Sequence, residues 1–135
     1  MTSPTPFSLA VAVQPADIDD LGHVNNVVYL RWVQDVAIAH WRAAASPAAQ
    51  AELAWVAVRH EIDYKHPAMP GDVVVARTWV GTADARRFER LTEIVRESDG
   101  RLLARARTLW CPISRATGRL TRVSDEVRAS FSVPG

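Results

Sequence analysis

From Val27 to Trp41 the chain carries apolar residues at helical spacing and little else. Val27, Leu30, Val33, Ala37 and Trp41 recur every three or four positions, and Tyr29, Val36 and Ile38 widen the apolar surface. That is the signature of an α-helix with about 3.6 residues per turn. Only Arg31, Gln34, Asp35 and Arg42 form a polar stripe. A helix with so narrow a stripe is mostly buried, so the rest of the chain has to enclose it. Asn25 or Asn26 suits the N-cap, where a side-chain oxygen accepts from a free N–H. The alanine-rich stretch near Ser46-Pro47 ends the helix or starts a loop.

The enclosing material reads as strands. Phe7 to Val13 puts Phe7, Leu9, Val11 and Val13 on one face. Trp55 to Lys65 alternates Val56, Val58, His60, Ile62 and Tyr64 against Arg59, Glu61, Asp63 and Lys65. Pro67, Pro70 and Gly71 mark a turn, and Asp72 to Gly81 is rich in Val and Thr. Arg87 to Arg96 and Arg101 to Ile113 flank Asp99-Gly100, a strong hairpin signal. Thr117-Gly118 turns the chain toward a last short strand, Arg119 to Val123, and Ser124 caps a terminal helix over Asp125 to Ser130. Successive hairpins make an antiparallel sheet. The expected class is α+β, an antiparallel five- to six-stranded sheet wrapped around one long central helix. The 135 residues read as one domain, with a loose N-terminus over Met1 to Pro6.

Bulk properties exclude several functions. Sixteen basic and fifteen acidic side chains leave a net charge of +1, which gives no footprint for nucleic acid. Arg86, Arg87 and Arg90 cluster, as do Arg101, Arg105 and Arg107; solvated strand faces account for both groups, with phosphate contacts as the alternative. Cys111 is the single cysteine, so it cannot form an internal disulfide, and it suits a small core position. No CxxC or His-rich spacing suggests a metal. No apolar stretch is long enough to cross a bilayer, and Met1 to Pro6 lacks a basic segment leading into an apolar run. The cytoplasm is the expected compartment.

Chemistry concentrates just ahead of the helix. Asp17-Ile18-Asp19-Asp20-Leu21-Gly22-His23-Val24-Asn25-Asn26 packs three carboxylates, a histidine and two asparagines into a loop. N–H groups at a helix start have no intrahelical partner and attract negative charge. A carboxylate beside them can act as base or nucleophile while those amides hold an oxyanion, which suits hydrolysis. Asp17 fits a structural bond to loop N–H groups, Asp20 fits solvent, and Gly22 allows a backbone conformation or close approach closed to bulkier residues. His60 lies on the apolar face of its strand as a satisfied core histidine, and His66 sits in a turn.

This loop, running on to Tyr29-Leu30, together with the order of elements, resembles the hotdog fold and within it the 4-hydroxybenzoyl-CoA thioesterase-like family. Relatives commonly carry Asp-x-Asp-x-x-Gly-His-Val-Asn-Asn followed by Tyr. Tyr64-Lys65-His66-Pro67 with Gly71-Asp72-Val73 resembles, more weakly, the turn between the second and third strands. The resemblance covers Phe7 to about Val123.

The resemblance implies hydrolysis of acyl thioesters of coenzyme A, or sometimes of acyl carrier protein, without metal or organic cofactor; coenzyme A enters as part of the substrate. It implies a homo-oligomer, a dimer that often pairs into a tetramer, with active sites at the dimer interface. Asp19 matches the catalytic carboxylate, as nucleophile or general base, and amides around Asn25 to Val27 match the site that polarises the carbonyl. The catalytic candidates are therefore Asp19, His23 and Asn26. His23 either orients the carbonyl or a water, or holds the loop. Gly22, Asn25, Val27 and Tyr29 are substrate-binding candidates, Tyr29 either lining an acyl pocket or packing in the core. Lys65, Arg86 and Arg87 are the cations expected to meet coenzyme A phosphates. Some relatives carry a helix Glu where this chain has Gln34, which leans the assignment toward Asp19; Asp35 suits a salt bridge or subunit contact. The five tryptophans suit core and subunit contacts, some shaping a roomy acyl or aromatic pocket. A non-catalytic acyl-binding protein and an acyl carrier protein thioesterase are the alternatives.

Overall fold

The computed structural model describes residues 6–131, so the expected loose N-terminus falls outside the described residues except for Pro6, which is exposed. The elements are β1 (Phe7–Ala12), a 3-10 turn (Pro15–Asp17), α1 (Asn26–Ala44), α2 (Pro47–Glu52), β2 (Leu53–Tyr64), β3 (Val73–Ala83), β4 (Phe88–Arg96), β5 (Leu102–Ser114) and α3 (Asp125–Ala129). The strands form one antiparallel sheet in the order β1-β3-β4-β5-β2. This is the expected α+β arrangement, with five strands and one long helix.

Local chemistry sets the boundaries. Asn25 caps α1, its side-chain oxygen accepting from the Val27 N–H at 3.1 Å. Ser46-Pro47 begins a second helix: Ser46 Oγ accepts from the Ala49 N–H at 3.1 Å, and Pro47 takes the first helical position, where its missing N–H costs nothing. The Asp99-Gly100 turn forms as expected, with Gly100 at φ +69° and Asp99 Oδ1 accepting from the Arg101 N–H at 3.0 Å. The strand expected over Arg119 to Val123 reduces to a single bridge between Ile113 and Leu120. Beyond it the chain leaves the sheet, because the Val123 N–H is drawn to the Ala85 carbonyl at 2.7 Å, under α3. The alternation expected through Trp55 to Lys65 is broken by a bulge between Ala57 and Arg59, which leaves Val58 unpaired.

One face of α1 is sealed by the sheet: Val28, Tyr29, Trp32, Val33, Val36 and Ala37 are buried. The helix is less enclosed than its composition suggests, since Val27 is 69% exposed and Ile38 43%. A five-stranded sheet covers only one side of a helix. The core falls into two clusters. One gathers Tyr29, Trp32 and Val36 with Val74, Ile94 and Leu103. The other gathers Leu53, Val80, Phe88, Val127 and Phe131 with Trp41, Trp55 and Trp110. Buried Thr78, Thr92, Thr108 and Arg90 lie on the inner face.

The outer face of the sheet is charged and matched. Glu93 pairs with Arg77 at 3.2 Å and with Arg105 at 3.4 Å, and Arg107 pairs with Glu89. Arg105 and Arg107 therefore occupy the solvated face expected of them. Arg90 does not: it is 6% exposed and points inward with its register mates Phe88, Thr92 and Ile94.

Tyr29 is a core residue rather than a pocket wall. It is 2% exposed, packs edge-on against Trp32 and Tyr64, and its hydroxyl accepts from the buried Ala68 N–H at 2.8 Å. Burial raises its pKa. Tyr29→Phe leaves the Ala68 N–H without an acceptor, so urea denaturation is expected to show a loss of about 1–3 kcal/mol. An unchanged midpoint would mean that this tie contributes nothing.

Candidate active site

Asp17 organises the loop ahead of α1. Its buried carboxylate accepts from the Gln14 N–H at 2.9 Å and from Arg31 Nη2 at 2.9 Å, one turn into the helix, and its carbonyl accepts from the Asn25 N–H at 2.8 Å. Burial pushes this carboxyl up, but the Arg31 hydrogen bond, the Gln14 N–H and the Arg31 charge together outweigh it and leave the pKa below 3.8. This is the structural bond expected of Asp17, and Asp20 faces solvent as expected.

Asp19 and His23 close the turn between them. The Asp19 N–H donates to the His23 carbonyl at 2.8 Å, and the Gly22 N–H to the Asp19 carbonyl at 3.0 Å. Asp19 Oδ1 accepts from the Leu21 N–H at 2.9 Å and from the His23 N–H at 3.4 Å. Its Oδ2 has no partner among the described residues. Gly22 sits at φ +77°, a left-handed conformation that favours glycine. The His23 imidazole is half-buried and makes no side-chain hydrogen bond among the described residues.

The helix start offers fewer free donors than its sequence suggests. The Asn25 N–H is taken by the Asp17 carbonyl, the Val27 N–H by Asn25 Oδ1, and the Val28 N–H by the Asn25 carbonyl. Among Asn25, Asn26 and Val27, only the Asn26 N–H is left without an acceptor among the described residues. Tyr64 Oη donates to the Asn26 carbonyl at 3.1 Å, a contact that sequence reasoning missed. The Val24 N–H donates to the Ala68 carbonyl at 3.0 Å. The two sequence segments that carry the family resemblance are thus neighbours in space.

The expected cations divide. Lys65 follows Tyr64 and is exposed near the helix start. Arg86 and Arg87 are exposed in the β3–β4 turn, their N–H groups held by Asp84 Oδ1 at 2.7 and 2.9 Å. Ala12 pairs with Val73, so the loop leaves from the opposite end of β3. That strand has eleven residues, so Arg86 and Arg87 lie roughly 33 Å away along it. Within one chain they do not join the loop; strand length, invisible in local sequence, separates them.

A cavity of about 610 Å³ opens between the second half of α1 and strands β2, β4 and β5. Trp41, Trp55, Phe88, Trp110 and Phe131 wall it, with Gln34, Arg42, His60, Arg90 and Arg115 as its polar contributors. It includes neither Asp19 nor Asn26. Gln34 lies eight residues beyond Asn26 on α1, about 12 Å along the helix. His60 shares its Nδ1 with Thr108 Oγ1 at 3.0 Å, and burial lowers its pKa. Arg90, Arg42 and Arg115 were missed as site residues. For Arg90 the signal was its inward register in Phe88-Arg90-Thr92-Ile94.

The family model described as the thioesterase-like superfamily matches residues 13–131, and the chain belongs to that superfamily. Its hotdog fold is shared with a 1,4-dihydroxy-2-naphthoyl-CoA thioesterase from Synechocystis, at a TM-score of 0.81 and 22% identity, covering 95% of this chain and 96% of that one. It is shared also with a Staphylococcus aureus protein solved in complex with CoA, at a TM-score of 0.84 and 16% identity, covering 100% of this chain and 90% of that one. A chloroplastic palmitoyl-acyl carrier protein thioesterase from Gossypium hirsutum is 30% identical over 108 residues, 73% of this chain and 26% of that protein. The chain thus spans about a quarter of that relative's length. Among the described residues, no helix is long and apolar enough to cross a membrane, and no group of His, Cys, Asp and Glu is placed to hold a metal ion.

The Asp17 clamp sets a pH-dependent prediction. A depressed folded pKa contributes stability that is complete above the unfolded value of about 3.9 and is lost as pH falls through the folded one. Asp17→Asn is expected to cost about 1.5–3 kcal/mol at neutral pH, and the gap from wild type to narrow progressively in acid below the ordinary carboxylate range. Urea titrations across that range check it; a gap independent of pH contradicts the clamp.

Proposed function

We propose that the protein is an acyl-CoA thioesterase, hydrolysing its substrate to a free acid and coenzyme A without metal or organic cofactor. The observation that carries this reading is that one loop and the helix it leads into supply both a carboxylate, Asp19, whose Oδ2 is uncommitted, and the Asn26 N–H, the one free donor among the first three amides of α1 among the described residues. The thioester carbonyl oxygen accepts from the Asn26 N–H, and the positive end of α1 stabilises the charge that develops there. Asp19 either attacks the carbonyl carbon, giving a mixed anhydride that water opens, or removes a proton from the attacking water. The carbon–sulfur bond breaks and the coenzyme A thiolate leaves. His23 borders the same turn and is a candidate to orient the carbonyl or the water. Lys65, exposed near the helix start, is the cation this reading assigns to the phosphates.

Two observations support coenzyme A over acyl carrier protein as the carrier. A protein of the same fold binds CoA. Acyl carrier protein is acidic and calls for a broad basic surface, yet Arg77, Arg105 and Arg107 are matched by Glu93 and Glu89. The relative from Gossypium hirsutum, which acts on acyl carrier protein, keeps that carrier as the competing reading.

The same proposal includes a homo-oligomer, a dimer and possibly a tetramer, in the cytoplasm. β2 is a sheet edge, and an unpaired edge is a template for another strand. Val58 on that edge is 53% exposed and Val56 37%, beside Ile38 at 43% on α1. A second copy covering these residues would close the open side of the cavity and complete the enclosure of α1. The free, buried thiol of Cys111 suits a reducing compartment.

Asp19→Asn is expected to fold as wild type and to lose at least about a hundredfold in turnover, measured by thiol release over a panel of acyl-CoA substrates, while dialysis against a chelator leaves wild-type turnover intact. Near-normal turnover in the variant removes Asp19 from the role. Wild-type protein inert toward every thioester favours the non-catalytic acyl-binding reading.

A further inference from the structure

Arg90 is a buried cation with no carboxylate partner among the described residues. Among the described residues only its Nη1 is engaged, with His40 Nδ1 at 2.9 Å and Thr78 Oγ1 at 3.3 Å. Neither neutralises it. Burial and the Arg90 charge lower the His40 pKa to about 4, so that ring is neutral at physiological pH, and Thr78 Oγ1 donates its own hydrogen to the Leu91 carbonyl at 2.9 Å. The Arg90 guanidinium also lies 5.8 Å from the centre of the Phe131 ring, an attractive contact but not a neutralising one. Burying an unpaired charge is costly, and buried charges are ordinarily paired. Nε and Nη2 of Arg90 have no acceptor among the described residues, and the residue forms part of the cavity wall.

The neighbouring positions continue the theme. Arg90 pairs with Thr108, and Thr108 with His60, so one rung of the sheet sets Arg90, Thr108 and His60 side by side facing the helix. The indole N–H groups of Trp55 and Trp110, whose rings also line the cavity, are buried without acceptors among the described residues. The cavity is therefore largely apolar in its walls, and Arg90 is the buried cation among its lining residues. A plain hydrocarbon tail would leave the charge of Arg90 unanswered.

We infer that the cavity takes an acyl group bearing a second, free carboxylate, and that Arg90 is the specificity-determining counter-ion for it. The substrate class is then the monothioester of a dicarboxylic acid. This rests on the thioesterase reading for the position of the thioester, but not for the binding of the carboxylate.

Matched substrate pairs test it without altering the protein: adipoyl- against hexanoyl-CoA, suberoyl- against octanoyl-CoA, and sebacoyl- against decanoyl-CoA. In at least one pair wild type is expected to favour the carboxylated member in kcat/KM by about tenfold or more, and Arg90→Met to bring that ratio to about one or below. No preference in any pair, or a preference that survives Arg90→Met, overturns the inference. Binding of free suberate against octanoate, read by quenching of tryptophan fluorescence, decides independently of turnover. Should wild type hydrolyse no thioester, tighter binding of suberate in wild type than in Arg90→Met still supports the carboxylate site, whereas equal binding of suberate and octanoate overturns it. Should Arg90→Met fail to fold, the wild-type ratios and binding comparison stand alone as the test.

Discussion

The hold that Asp17 exerts on the start of α1 is the constraint from which the rest of the site follows. Its carboxylate reaches back to Gln14 and forward to Arg31, and its carbonyl takes the Asn25 N–H. Loop and helix are thereby fixed as one unit. With Asn25 serving as the cap, two of the three amides usually credited to a helix start are used for structure. One donor survives, at Asn26. The turn from Asp19 to His23 holds Oδ1 of Asp19 on its own N–H groups and leaves Oδ2 open. The proposed hydrolysis asks for no more than one donor and one open carboxylate oxygen, because a thioester carbonyl is electrophilic and its thiolate leaves readily.

Charge is distributed in two contrasting ways on the two faces of the sheet. Outside, acids and arginines alternate across β3, β4 and β5 and cancel one another. Exposed pairs of this kind add little stability and leave no basic field. Inside, no carboxylate among the described residues cancels Arg90, and the groups it touches there are neutral. The interior arrangement, not the surface one, is what a ligand would read. Val58, Val56 and Ile38 leave apolar surface exposed, the two valines on the β2 edge and Ile38 on α1.

The parts legible in the sequence were those set by neighbours in the chain. The α1 period, the Asn25 cap, the Asp99-Gly100 hairpin and the Ser124 cap, which accepts from the Val127 N–H at 3.2 Å, all follow from residues a few positions apart. What escaped depends on distant pairing. Tyr29 is settled by Ala68, thirty-nine positions on, so its role as a core tie could not be told from a pocket role. Arg86 and Arg87 are removed from the loop by the length of β3. Arg90 was grouped with them by proximity in sequence, although alternation with Phe88, Thr92 and Ile94 already set it on the inner face. The Arg119 to Val123 segment has a turn and β-prone residues, but the pull of Ala85 on Val123 overrides local propensity.

The proposed convergence of Asn26 and Asp19 on one carbonyl is tested most directly by a crystal structure with an unreactive acyl-CoA analogue in which a methylene replaces the thioester sulfur. The account predicts the ketone oxygen about 2.9 Å from the Asn26 nitrogen, with the Asp19 carboxylate facing the carbonyl carbon or a water beside it. An analogue bound with its ketone away from both groups would contradict it.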